Sequence, residues 1–282
     1  MIQYYRELQA SRALSASLRE VYYAETEVQL SESADAPTST PALEATAAPT
    51  AFIAPTALPQ AAQLESVPYP DNPYGLVSSR FQKLQRQNSD IVAWLTIPGL
   101  LDEAVVQRDN SYYLRRDYRG YHNDNGAIFM EQAVRLSGQR PYTLILYGHN
   151  MKSGAMFGGL RNYENAAFYR HNAFVTCDTA YEDGLYVIFA VGTLSQRAYT
   201  PDYVDVSKLL SVRTAWREEA IGQLIKCSTL TNWVDVRADD QLLLLVTCVE
   251  DDTERRYVAA RRIRPDETQA QLQKLVDRTD AR

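Results

Sequence analysis

The chain has 282 residues, 45% of them hydrophobic and 23% charged, with a net charge of −6 and a pI near 5.2. This length and mix fit a globular protein with one large or two small domains. The lack of any basic stripe argues against a nucleic-acid partner. The three cysteines (Cys177, Cys227 and Cys248) form no CxxC pair, so neither a zinc knuckle nor a disulfide scaffold is expected.

Residues 1–30 place Ile2, Tyr5, Leu8, Leu14, Leu18, Val21 and Tyr22 among polar neighbours, the spacing of a surface or stalk helix. They lack the apolar core of a signal peptide. No stretch anywhere approaches the roughly 18–20 apolar residues that a membrane span needs.

Composition then changes. Seven of the twelve prolines and eleven alanines fall between Ser31 and Pro70. Proline fixes φ and removes a backbone donor, so residues 31–73 read as an extended linker rather than a helix or central strand.

A folded domain is expected over 74–270, with 271–282 as a tail. Tyr74 to Ser89 reads as helical through Leu76, Phe81 and Leu84. Eight short runs follow: IVAWLTI, AVVQ, GAIFM, YTLILYG, LYVIFAVGTL, WVDV, LLLLVTCV and RYVAARRI. They are rich in β-branched and aromatic residues and separated by Gly, Pro, Asn and Asp, which predicts a mostly β, mostly antiparallel barrel or sandwich. Between Val206 and Ile225, apolar residues at helix-like intervals predict a helical insertion.

Chemistry-bearing residues are few. Of the three histidines, His122 and His171 lie in polar, turn-rich sequence and read as exposed or capping. His149 follows the apolar run Tyr142–Tyr147 and Gly148, where a strand end displays a side chain on a rim. Cys248 ends the most hydrophobic run, Leu242–Val246 with Thr247, the half-exposed setting a reactive thiol requires. Buried packing is the default for Cys177 and Cys227, and it competes at Cys248 as well. Arg255 and Arg256 open the next run. If the two runs pair, an arginine returns near the thiol, where it can stabilise a developing oxyanion but cannot act as a base.

Together these residues resemble the sortases, and in particular class B sortases. NSDIVAWLTIPG resembles the stretch that opens the class B barrel and AVVQRDNSYYL its next strand and following loop, while NDNGAIFM and YGHNMKSGAMFGGL resemble the segments that lead to and from the family's catalytic histidine. LLLLVTC resembles its TLxTC motif, with Leu244 in place of the first threonine. The order His, Cys, Arg is kept over about Tyr74 to Ile263.

The resemblance implies a closed sortase-type β-barrel and a cysteine transpeptidase with Cys248 as nucleophile, His149 as proton-transfer partner and Arg256 as the arginine. Arg255 is a one-residue alternative, and Arg256 is preferred because RYVAARRI continues from it. It further implies cleavage of a sorting signal after threonine and transfer to a cell-wall or pilin amine. The implied enzyme is monomeric and needs no cofactor. It would be anchored by an upstream segment and work on the wall-facing side of the membrane. A mainly hydrolytic relative and a catalytically silent surface module are the competing readings.

Overall fold

The computed structural model describes residues 2–32, 69–248 and 254–281. Eight strands close into a barrel: β1 (Ile91–Ile97), β2 (Leu101–Val106), β3 (Ile128–Met130), β4 (Thr143–Gly148), β5 (Phe174–Thr179), β6 (Leu185–Ser195), β8 (Leu242–Cys248) and β9 (Glu254–Arg262). Two short strands, β7 (Leu230–Thr231) and β10 (Asp280–Ala281), pair with each other outside it. The order around the barrel is β1-β2-β3-β4-β8-β9-β6-β5. Of the two sequence-compatible architectures, the closed barrel is therefore the one formed.

Most pairs are antiparallel, but β2 with β3 and β4 with β8 are parallel. The β4–β8 seam explains two of the apolar runs. Both strands lie between neighbours and bury nearly every described position, so their sequences show no alternation.

The first helix, α1, runs Ile2–Glu32 and packs on the barrel, whereas most of the expected linker lies outside the described residues. Leu18 and Tyr22 are buried, and the Tyr22 ring stacks on Trp94 at 4.3 Å. Each such burial stabilises docking by about 2 kcal/mol. Ser15 Oγ donates to Glu103 beneath the helix, and burial pushes the Glu103 carboxyl up to about 7. Among the described residues no helix is long and apolar enough to cross a membrane.

The ends of the domain differ from the sequence expectation. Tyr69 is buried, with its hydroxyl donating to the Leu136 carbonyl, so the fold begins before Tyr74. The short helix near the start of the domain, α2, covers Ser79–Gln87 and buries Phe81 and Leu84. Residues 271–281 are no tail. A helix at Gln269–Val276 buries Leu272 and Val276, and β10 ties the end of the chain to β7.

Three internal elements differ as well. Phe174–Thr179 is a barrel strand although no run marked it. WVDV is not a strand: Val234 N–H donates to the Asn232 side chain, and Asp235 is taken up by Arg261 and Arg264. The insertion is split into a 3-10 turn, Val206–Leu210, and a helix, Thr214–Lys226. The break is held by Arg217, which bonds the Ser211 and Ala238 carbonyls from a buried position.

Candidate active site

The parallel β4–β8 seam pairs Gly148 with Thr247 at its end. His149 and Cys248 are the next residues along the chain, so two positions far apart in sequence emerge side by side. On the other edge of β8, Cys248 pairs with Arg255 and Thr247 with Arg256. Directly opposed residues share a sheet face and successive residues alternate. Arg255 therefore belongs to the register position of Cys248, and Arg256 to that of Thr247.

The two faces have different coverings. Behind the sheet lies the 3-10 segment Phe157–Glu164. A Cβ on Gly148 would come within 2.9 Å of the Phe157 ring, so glycine is what allows that segment to close on the strand end. Thr247 is buried, and the Arg256 guanidinium donates to Glu164 Oε1 at 2.8 and 3.1 Å. In this position Arg256 pairs with the 3-10 segment.

The opposite face forms the floor of a groove of about 520 Å³, lined by Tyr147, His149, Leu194, Val246 and Arg255. Val204 and Val206, where the inserted segment begins, contribute to the lining, as do Asn110 and Leu114. The sequence preferred Arg256 with Arg255 as the one-residue alternative, and the register puts the two on opposite faces of the sheet. In this register Arg255, not Arg256, shares the groove with His149.

His149 is held from below. Its Nε2 lies 2.5 Å from the Leu114 carbonyl oxygen. A carbonyl only accepts, so Nε2 carries the proton and Nδ1 is the nitrogen left for chemistry. Gly126 packs against the same ring with φ +62°, and a Cβ there would meet the Leu114 carbonyl at 2.6 Å and His149 Cδ2 at 3.1 Å. After His149 the chain folds back, and Phe157 N–H donates to the His149 carbonyl at 2.9 Å.

The other two histidines lie elsewhere. His122 is exposed beside Asp124, and His171 Nδ1 bonds the Ala167 carbonyl in the last turn of its helix. Cys177 is fully buried and burial pushes its thiol up, while Cys227 is half-buried at a helix end. Among the described residues no group of three or more His, Cys, Asp or Glu is placed to hold a metal ion.

Sequence reasoning missed Asn110, Tyr147 and the Leu114 carbonyl. The first two looked like ordinary loop and strand residues, and a backbone acceptor leaves no mark in side-chain identity.

Known proteins align with this architecture. No protein-family model matches the chain. Sortase B of Listeria monocytogenes is 32% identical over 195 residues, 68% of this chain and 75% of that protein. Sortase B of Staphylococcus aureus is 26% identical over 66% of this chain and 75% of that protein.

Among solved structures, a Bacillus anthracis protein described as similar to sortase B superposes with a TM-score of 0.60 at 29% identity. The match covers 67% of this chain and 85% of that one. A Staphylococcus aureus sortase B–substrate complex gives 0.58 at 25% identity, covering 68% and 88%. A sortase B complexed with triglycine gives 0.58 at 25%, covering 68% and 89%. On this identity and coverage, with the barrel to match, the chain belongs to the sortase B family and is a sortase-type cysteine transpeptidase.

Proposed function

We propose that Cys248, His149 and Arg255 carry out acyl transfer from a threonine-containing sorting signal to an amine. The observation that carries this reading is the register at the end of the β4–β8–β9 sheet, which sets the first two side by side and the third across from the thiol position.

The Cys248 thiolate attacks the threonine carbonyl carbon, and the carbonyl electrons move to oxygen. Arg255, a fixed cation with several donors, stabilises that oxyanion. Collapse breaks the C–N bond, and the proton on His149 Nδ1 goes to the departing amine. The resulting thioester is attacked by the acceptor amine, which returns a proton to Nδ1, and collapse expels the thiolate. One difficult amide exchange becomes two easier steps.

The acceptor in this reading is an amine of a cell-wall precursor or a pilin, met on the wall-facing side of the membrane. The solved sortase B with bound triglycine supports an amine-ended peptide as the acceptor class.

Incubation with a library of Thr-containing pentapeptides and triglycine, read by mass spectrometry, tests the proposal. Products cut after threonine and joined to triglycine are expected. Carboxylic acid products alone, at every amine concentration, would instead establish a hydrolase.

The arginine assignment has its own test. Arg255→Ala should lower kcat/KM about 100-fold, the usual cost of removing an oxyanion donor. Arg256→Ala should cost less than about 10-fold and lower the melting temperature by loosening the Glu164 contact. Equal activity losses in the two variants would defeat the assignment.

A further inference from the structure

Glu131 follows β3 and lies just outside the groove, yet its carboxylate gathers groove residues. Asn110 Nδ2 donates to both of its oxygens, at 2.8 and 2.9 Å. The Tyr147 hydroxyl donates to Oε2 at 3.1 Å, and Ala133 N–H donates to Oε1 at 3.1 Å. Asn110 is gripped from both ends, because its Oδ1 accepts Gln132 N–H at 2.9 Å. Glu131 itself is tied to the barrel, its N–H donating to the Ile145 carbonyl at 2.8 Å.

Two routes lead from this carboxylate to the chemistry. Asn110 lies two residues before the 3-10 turn Tyr112–Arg115, which contains Leu114, whose carbonyl holds His149 Nε2. Tyr147 forms the groove floor in register with Val246, two residues before Cys248. Burial and the Glu131 charge push the Tyr147 hydroxyl up, so it stays a neutral donor, while Arg255 acts on it in the opposite sense. A carboxylate suits the place because every neighbour offers it a hydrogen and none needs one in return. An amide there would turn an N–H₂ toward two donors.

We propose that Glu131 is a positioning residue of the transfer reaction, acting through Asn110 on His149 and through Tyr147 on the groove floor. The inference rests on the function proposed above. Displacement of a catalytic group by a fraction of an ångström lowers the rate of the chemical step more than it weakens substrate binding.

The test is steady-state kinetics on a Thr-containing peptide with triglycine. Glu131→Gln is expected to lower kcat about 10-fold, with KM within about 3-fold of wild type, and Glu131→Asp to recover part of that loss. In an Asn110→Ala, Tyr147→Phe background, Glu131→Gln should cost less than about 3-fold more, because its partners are already gone. A kcat for Glu131→Gln within about 2-fold of wild type would overturn the proposal. So would an undiminished loss in that background, which marks a role in stability alone.

If Glu131→Gln does not fold by circular dichroism, Asn110→Ala and Tyr147→Phe take its place. Each should lower kcat at least about 3-fold, and wild-type kcat in both overturns the idea. Cys248→Ala run alongside separates the two levels. Activity in that variant defeats the proposed function, whereas a silent Cys248→Ala beside a fast Glu131→Gln defeats only this inference.

Discussion

Cys248→Ala is expected to abolish both thioester formation and peptide transfer, with a melting temperature within a few degrees of wild type. The substitution removes the only atom in the proposal that bonds to substrate, and no neighbouring group can replace a thiolate. The strand should tolerate it. β8 is hydrogen-bonded along both edges, and its packing comes from Leu242–Val246, all buried.

Intact mass spectrometry of enzyme mixed with peptide alone reads the result. The wild type should gain the mass of the acyl fragment and the variant none. An adduct on the variant would move the nucleophile elsewhere, and Cys227 would be the thiol to examine, since Cys177 is fully buried.

His149→Ala should reduce kcat/KM about 1,000-fold, within the range for loss of a positioned proton-transfer group. The effect should fall on both half-reactions, because the same Nδ1 gives a proton to the leaving amine and takes one from the incoming amine. Stopped-flow acylation and single-turnover deacylation measure the halves separately. A loss confined to one half would mean that another group serves the second. A loss below about 10-fold in both would remove His149 from the mechanism.

The parts of this enzyme legible in sequence are those where one physical demand dominates. Strands β4 and β8 are buried on both faces, so their apolar runs announced them, and the glycine and cysteine at their ends marked a rim. Which of the two arginines lines the groove was not legible, and the reason is specific. In β9 the residues from Tyr257 to Arg261 are all buried, so no alternation shows which positions face the groove. The pairing of Cys248 with Arg255 is a matter of register between β8 and β9, and a slip of one residue exchanges the two arginines between faces.

WVDV misled for a related reason. Its β-branched and aromatic residues fit a strand, but Arg261, fully buried, draws on the Asp235 carbonyl and on both oxygens of Glu267. Those bonds favour an irregular loop over a ladder. Glu131 and Asn110 escaped notice because their importance lies in each other, 21 positions apart.

The parallel seam has a consequence for how activity first arises. Gly148 and Thr247, the pair behind His149 and Cys248, lie about a hundred positions apart in the chain. Contacts of such long sequence separation form late in folding, once the loss of chain entropy on closing the loop between them has been offset. The proposed nucleophile and its proton-transfer partner therefore meet only when the barrel closes, and in this reading a partly folded chain carries an ordinary thiol. The same seam decides how activity ends. β4 and β8 are buried core strands that open only with the fold as a whole, so loss of activity on heating is expected to coincide with loss of the barrel.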